Sequence, residues 1–337
     1  QLLDGVDPIE ARRRDRTNRK LDAASNITFR QCAEDYIASH QAAWSSSKHA
    51  AQWSRTLETF AYPVIGSMPV DAINTAFVME VLKPISNEKS ETASSVRGRI
   101  EAILDWASTQ EYRSGENPAR WKGHLANLLP AKNKVKKVKH HAALPYDQIA
   151  SFIERLKGSD GISAKGLEFL ILTAARTGEV IGARWSEVDM AKMVWTIPAD
   201  RMKAKREHRV PLSDRSIEIL NEMDGGKVSD FVFPGMRKNK PLSNMAFLQL
   251  LKRMKRKDIT IHGFRSSFRD WAAERTNYPR EVAEMALAHS ISDKVEAAYR
   301  RGDLFDKRRH MMDAWTEYCC AGNDYVGGDV VSIGGAS

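Results

Sequence analysis

Apolar residues recur at helical spacing through the first third of the chain. After Thr28, a residue type that caps helix N-termini, an i, i+3, i+4, i+7 stripe predicts a helix. The stripe consists of Phe29, Cys32, Ala33, Tyr36 and Ile37. The same periodicity predicts helices over residues 47–60, 76–82 and 90–110, so residues 27–122 are predicted to form a compact all-α domain.

A basic run without periodicity separates this region from a second pattern. It reads KNKVKKVKHH and lies within residues 123–143, which are predicted to be a linker. Beyond it, strand-like MVWTIP and HRVPL segments flank a polar loop, and residues 231–233 are a predicted short strand. Helices are predicted over residues 147–156, 164–175, 217–223 behind a Ser213 cap and 244–254 behind a Ser243 cap. The chain is therefore predicted to be mainly helical with a small antiparallel sheet.

The composition narrows the class of protein. A length of 337 residues suits two or three domains. The formal charge of +9 and the isoelectric point near 9.4 favour a polyanionic partner, although many basic proteins bind no nucleic acid. Three cysteines, Cys32, Cys319 and Cys320, are too few and too oddly placed for a disulfide framework or a zinc site, so a reducing cytoplasm is expected. No apolar run approaches the roughly 20 residues of a membrane span.

The stretch from residue 259 to residue 301 carries the candidate chemistry. His262 and Arg265 lie three apart at the start of a predicted helix, which places both near one polar edge where they can share a phosphate. His289 follows a second helix, which Pro279 opens. Tyr299 falls in a third predicted helix beside two arginines. Because the pKa of a phenol is about 10, a tyrosine nucleophile needs cationic neighbours and an activated electrophile, such as a phosphodiester held by guanidinium groups.

This stretch resembles the C-terminal half of the tyrosine recombinases, the phage integrase family, whose active site comprises Arg, Lys, His-x-x-Arg, His and a nucleophilic Tyr. The earlier members occur upstream in order. The segment AARTGEVIGARW supplies Arg176, and MVWTIPADRMKAKREHRVPLS resembles the hairpin that carries the lysine, which places Lys203 in that role with Lys205 as its competitor. The resemblance is strong over residues 144–319 and weak over the preceding hundred.

The resemblance implies a SAM-like core-binding domain, then an α+β catalytic domain over residues 144–320 and a tail over residues 321–337. Residues 1–26 resemble the linker that follows an arm-binding domain, and we expect that such a domain has been removed. The implied function is a site-specific DNA recombinase that integrates or excises a mobile element, such as a prophage, through a 3′-phosphotyrosine. The expected partners are double-stranded attachment sites and a homotetramer on synapsed DNA, with a DNA-bending host factor and an excisionase as further candidates. No cofactor, metal or membrane is expected, and the expected location is the bacterial cytoplasm, on DNA.

The family's mechanism assigns a role to each residue. Arg176 and Arg265 would hold the non-bridging oxygens, and Lys203 would protonate the departing 5′ oxygen. His289 would donate a further hydrogen bond to the phosphate, and His262 would assist proton removal or orient its neighbours. Tyr299 would be the nucleophile, with Tyr278 and Tyr318 as the next candidates. DNA phosphates would contact basic side chains of the first domain and the linker, namely Lys48, Arg55, Lys89, Arg97, Arg99 and Lys137.

Each residue also has a purely structural interpretation. Arg176 can be a carbonyl-capping arginine, His289 a helix cap, Tyr299 a core tyrosine and the basic face an ordinary solvated one. Residues 304–318 are either a helix that packs on a neighbouring protomer or a last core helix. A type IB topoisomerase, a DNA-binding regulator and a metal nuclease are the other functions considered. A type IB topoisomerase would use the same chemistry, but the separate α domain followed by the integrase-like hairpin favours recombination over it. A DNA-binding regulator would not need the ordered set of six residues, and no dense carboxylate cluster accompanies the histidines as a metal nuclease would require.

Overall fold

The computed structural model describes residues 27–44, 47–129, 142–225, 229–289 and 302–321. The chain divides into two compact units, whose boundary falls between Lys139 and His140. No helix in these described ranges is long and apolar enough to cross a membrane.

The first unit is all-helical in its described part. Its helices are α1 (Phe29–His40), α2 (Ser47–Phe60), α3 (Tyr62–Ile65), α4 (Thr75–Ser86) and α5 (Ser90–Thr109). Thr28 caps α1 as predicted, because its hydroxyl accepts from the Gln31 amide at 3.3 Å while the Gln31 side chain accepts from the Thr28 amide at 2.9 Å. Helix α3 was not predicted, and α4 extends beyond residue 82 with Pro84 in its last turns.

The second unit combines eight helices of the described ranges with one sheet. The helices are α6 (Ile149–Lys157), α7 (Ile162–Thr173), α8 (Thr177–Ile181), α9 (Asp214–Asp224), α10 (Ala246–Arg253), α11 (Gly263–Glu274), α12 (Arg280–Ala286) and α13 (Phe305–Cys320). Ser213 precedes α9, yet its hydroxyl bonds to Ser216 and Thr316 rather than to the helix backbone. Helix α10 begins after Ser243, whose hydroxyl accepts from the Met245 amide at 3.2 Å in the preceding turn.

The sheet of the second unit is antiparallel, in the order β1 (Val188–Asp189), β2 (Val194–Ile197), β3 (His208–Pro211). The predicted MVWTIP and HRVPL strands pair with Trp195 opposite Val210. Strand β1 was not predicted. The strand predicted over residues 231–233 is wrong, because Phe231 forms only an isolated bridge to Arg184 and the segment then bends.

The core of the second unit surrounds α7, along which nine residues are buried. Trp315 of α13 is fully buried and donates from Nε1 to the Ile171 carbonyl at 2.9 Å. Met311, Met312 and Cys319 of the same helix are also buried in this core. Residues 305–320 therefore form a core helix of their own unit, the second of the two alternatives for this segment. The fold class is mainly α with a small antiparallel sheet, as predicted.

Candidate active site

Arg176 lies where α7 ends and α8 begins. Ala174 ends α7 in the left-handed conformation, with φ of 49°, and this turns the chain so that Arg176 becomes the N-cap residue of α8. The Arg176 amide donates to Glu179 Oε2 at 2.7 Å, and its Nη1 donates to Glu179 Oε1 at 2.7 Å. The Glu179 side chain is only 6% exposed, so this carboxylate fixes both the backbone and the guanidinium of Arg176.

The C-terminal end of α12 brings the two predicted arginines together. Arg176 Nη2 donates to the carbonyls of Ala288 at 3.0 Å and Leu287 at 3.3 Å, while Arg265 Nη2 donates to the same Leu287 carbonyl at 2.5 Å. Arg265 Nη1 donates to the Ala174 carbonyl at the end of α7. Carbonyls at helix C-termini lack intrahelical partners, and cations are favourable there. The carbonyl-capping role considered for Arg176 therefore exists, and Arg265 shares it.

Arg265 differs from the prediction in its burial. It is 5% exposed, whereas the three-residue spacing placed it with His262 at a polar edge of α11. That edge is covered because the ends of α7 and α12 pack over it, so the prediction is wrong for Arg265, while His262 is exposed at the N-cap of α11. Burial, and then the charge of Arg176, lower the pKa of Arg265 to about 10, against the opposing effect of Glu179. Arg265 still carries its charge at neutral pH.

His289 joins the arginine pair through its Nε2 atom, which is 3.3 Å from Arg265 Nη2. Its Nδ1 atom lies 2.6 Å from Glu284 Oε2, and Arg269 Nε donates to Glu284 Oε1 at 2.8 Å. Burial raises the pKa of Glu284, but the hydrogen bonds from His289 and Arg269 outweigh it and leave that pKa below its usual value. An ionised Glu284 accepts from Nδ1, which directs Nε2 of His289 towards the arginines.

Lys203 lies exposed in the loop between β2 and β3. Within the described ranges it makes no hydrogen bond or ion pair, either with the arginine and histidine cluster or with any other residue. The loop turns through a hydrogen bond from the Lys205 amide to the Met202 carbonyl at 3.1 Å. Met202 is buried and Lys205 has a left-handed φ of 54°.

Tyr299 lies outside the described residues. The two other candidate tyrosines are described and contribute to packing. Tyr278 is half-buried, and burial followed by the charges of Asp313 and Glu317 raises its pKa. Tyr318 stacks on Trp315 with ring centroids 6.1 Å apart, and burial raises its pKa too. A raised pKa lowers the phenolate fraction, which disfavours both as nucleophiles.

Ion pairs and hydrogen bonds hold the segment that precedes α13 against β3. Arg209 of β3 makes a forked contact with the Asp303 carboxylate, at 3.0 and 2.9 Å. Arg308, whose side chain is 1% exposed, donates to the same carboxylate at 2.8 Å, to the Asp303 carbonyl at 2.7 Å and to the Arg209 carbonyl at 2.7 Å. One aspartate thus links the strand after the Lys203 loop to the start of α13.

His208, at the start of β3, was missed by the sequence reasoning. It pairs with Ile197 of β2, and its half-buried ring bonds to the backbone of Ala286 near the end of α12. Burial lowers its pKa to about 4, helped by the charges of Arg308 and Arg176 and opposed by Glu179 and the bond to Ala286. The sequence did contain a signal for the burial of His208. Side chains two residues apart in a strand point to the same face, so His208 lies on the same face as the buried Val210.

The residues predicted to bind DNA differ in their exposure. Arg55 and Lys89 are exposed, whereas the Lys48 side chain and Lys137 lie outside the described atoms. Arg97 is half-buried, donates to Glu101 at 2.5 Å and also bonds to the Ala119 carbonyl.

Arg99 does not lie on the solvent side, so that part of the prediction is wrong. It is 8% exposed, donates to the Gln52 carbonyl at 2.9 Å and lies over the Trp53 ring at 5.3 Å. The physical reason is its position in α5, since it follows Val96 by three residues and therefore falls on the buried stripe.

Comparison with known proteins gives the class. Residues 143–303 match the phage integrase family, and residues 29–124 match the phage integrase central domain. The prophage integrase IntZ of Escherichia coli K12 is 32% identical over 319 residues, which cover 94% of this chain and 76% of the relative. The integrase of Enterobacteria phage P4 is 29% identical, over 94% of this chain and 74% of the relative. The chain belongs to the phage integrase family.

Solved structures share the fold. A lambda integrase dimer bound to a COC′ core site aligns with a TM-score of 0.63 at 15% identity, over 79% of this chain and 96% of that one. The Tn1549 transposon integrase in complex with circular intermediate DNA aligns with a TM-score of 0.61 at 16% identity, over 85% of this chain and 99% of that one. With its family and fold, the protein is a site-specific DNA recombinase of the tyrosine type.

Proposed function

We propose that Arg176, Arg265 and His289 form the site that binds the scissile phosphate. The observation that carries the proposal is the Leu287 carbonyl, which accepts hydrogen bonds from both guanidinium groups, with His289 Nε2 3.3 Å from one of them. Guanidinium groups present forked donors that match phosphate oxygens and offset the charge that develops in a pentacoordinate transition state.

The remaining roles complete a transesterification. The Tyr299 oxygen attacks phosphorus, the bond from phosphorus to the 5′ oxygen breaks, and Lys203 gives that oxygen a proton. The products are a 3′-phosphotyrosine and a free 5′ hydroxyl, so the phosphodiester energy is retained for rejoining. His262, exposed at the start of α11, assists removal of the Tyr299 proton or orients its neighbours.

The domain organisation and partners extend this proposal. Residues 27–122 bind core DNA, residues 123–143 link the domains, residues 144–320 catalyse, and a tail follows. Lambda integrase has been solved as a tetramer bound to a Holliday junction, and we propose the same assembly here, on attachment sites of a mobile element. A DNA-bending host factor and an excisionase are proposed further partners.

Replacement of the nucleophile tests the chemistry. Tyr299→Phe removes one oxygen, so it should keep DNA binding and abolish the covalent adduct on a nicked suicide duplex that carries the crossover sequence read from the ends of the element. Tyr278→Phe is the matched control and should still form the adduct. An adduct that persists in Tyr299→Phe, or is lost in Tyr278→Phe, would place the nucleophile elsewhere.

Two further measurements test the other roles. Lys203→Ala should be slow on normal DNA and largely restored when sulfur replaces the leaving 5′ oxygen, because a thiolate leaves without a proton; restoration of Lys205→Ala instead would move the acid by two residues. Cleavage should also continue in excess chelator, since arginines rather than a divalent cation neutralise the phosphate. Loss in chelator with recovery in magnesium or manganese would favour a nuclease.

A further inference from the structure

Arg201, two residues before Lys203, is held by three acceptors at once. Its Nη1 atom donates to both carboxylate oxygens of Glu187, with Oε1 at 2.5 Å, and its Nη2 atom donates to the Glu179 carbonyl at 2.5 Å. The Arg201 and Glu187 side chains are 17% and 7% exposed. Glu187 is itself fixed, because it accepts from Trp195 Nε1 at 3.0 Å.

The backbone carries this anchor to Lys203. The Arg201 amide donates to the Pro198 carbonyl at 3.1 Å and the Met202 amide to the Ala199 carbonyl at 3.2 Å. The Met202 side chain is 3% exposed, so it packs into the core. Lys203 therefore leaves the loop directly after two residues whose backbone and side chains are both fixed. Few backbone torsions separate the Arg201 anchor from the Lys203 side chain.

The other end of the anchor is the residue that holds Arg176. Glu179 accepts from Arg201 through its backbone carbonyl and from Arg176 through its carboxylate. The loop that bears Lys203 and the guanidinium of Arg176 are thus connected through one residue of α8. Movement of Arg201 away from α8 would change the distance between Lys203 and Arg176.

The contacts of Arg201 require a forked, planar side chain. A guanidinium has five donors and can serve a carboxylate and a carbonyl together, whereas an ammonium is a single point of charge. Gly182 leaves the space that the guanidinium fills, because a Cβ atom there would lie 2.7 Å from Arg201 Nη2 and 3.2 Å from the Gly178 carbonyl.

We propose that Arg201, clamped by Glu187 and the Glu179 carbonyl, is a positioning residue that holds Lys203 at the leaving 5′ oxygen while Arg176 holds the phosphate. The inference rests on the proposed roles of Lys203 and Arg176. The competing interpretation is that the Arg201 and Glu187 pair stabilises the unit and has no effect on proton transfer.

The test compares single-turnover cleavage of two nicked duplexes, one with the normal 5′ oxygen and one with sulfur in its place, both with the element's crossover sequence. Arg201→Lys keeps the charge and loses the fork. The double variant Glu187→Gln with Arg201→Gln removes both charges, so no buried carboxylate is left unpaired. Gly182→Ala keeps the arginine at position 201, but the added methyl group displaces its guanidinium. On normal DNA each should be about 10- to 100-fold slower, since misplacement by an ångström can cost about 100-fold.

The sulfur substrate separates positioning from stability. If Arg201 positions the acid, sulfur restores most of the rate of all three variants, because no proton is then required. If the pair is only structural, the variants lose the same factor on both substrates, and the inference is overturned. Glu116→Gln is the control, since its exposed ion pair with Arg120, 2.8 Å long, belongs to the first unit and shares no residue with the anchor; it should cleave both duplexes like the wild type.

Lys203→Ala on the same two duplexes distinguishes failure of the inference from failure of the proposed function. If sulfur restores Lys203→Ala but not the Arg201 variants, Lys203 remains the acid and the positioning role is refuted. If Lys203→Ala cleaves normal DNA at the wild-type rate, the acid assignment fails and the inference fails with it.

Discussion

Replacement of His208 with glutamine should flatten the dependence of stability on pH between about pH 5 and 7.5. The folded chain holds this ring among Arg308, Arg176 and Glu179, and its pKa is lowered to about 4. An unfolded histidine has a pKa of about 6.5, so below that value the unfolded chain binds a proton that the folded chain resists. The contribution of neutral His208 is therefore complete above pH 6.5 and is lost as the pH falls towards 4.

The two pKa values give a magnitude. Linkage predicts that the wild type loses about 2 kcal/mol of unfolding free energy through this group between pH 7.5 and pH 5. Glutamine keeps a donor for the Ala286 carbonyl and has no proton to gain, so the variant should lack this loss. The assay is urea unfolding at pH 5, 6 and 7.5, with His310→Gln, at an exposed position of α13, as the control. Parallel curves for the wild type and His208→Gln would refute the reasoning, as would an equal flattening by His310→Gln.

Four further substitutions test the packing and the helix caps. Arg308→Met leaves two backbone carbonyls without donors and should lower the free energy of unfolding in urea by about 2–4 kcal/mol. Arg209→Gln breaks a half-exposed ion pair and should lower it by less than about 1 kcal/mol. Equal decreases for the two variants would contradict the difference in burial between the two arginines. Gly263→Ala should unfold the start of α11, seen as lost protection from hydrogen exchange, because a Cβ atom would lie 2.3 Å from the Ala142 carbonyl; unchanged exchange would refute it. Thr28→Ala should cost about 1 kcal/mol through loss of the cap, and an unchanged unfolding midpoint would show that the cap contributes nothing.

Local chemistry made much of the fold predictable from the sequence. Neighbours within four residues, or a regular period, determine the Thr28 cap, the β2 and β3 strands and most helices. The sequence pattern is therefore enough to predict these elements. The failures arise where a tertiary contact decides. Residues 231–233 have an apolar strand composition, yet they find only a bridge to Arg184, and composition carries no information on whether a partner strand exists.

The site was predictable in its residue types and not in its connections. Arg176 and Arg265 are recognisable by motif, but the motif does not reveal that both bond to the Leu287 carbonyl, 111 and 22 residues away in the chain. Arg201 is one basic residue among several in a polar loop. Its contact with the Glu179 carbonyl, 22 residues upstream, forms only when the loop between β2 and β3 folds against α8.

The charged side chains that contact one another at the candidate site determine the charge of the anion that the site can bind. Arg176 and Arg265 contribute two positive charges and Glu179 one negative charge, so the pair retains a net charge of +1, which balances the −1 of a phosphodiester. Glu284 does not change this balance, because Arg269 pairs with it. Cleavage also places negative charge on the departing 5′ oxygen, which is not one of the non-bridging oxygens that the two arginines are proposed to hold. A proton donor outside the pair is therefore required, and because the Lys203 loop is a separate element, the accuracy of its placement depends on whatever anchors that loop.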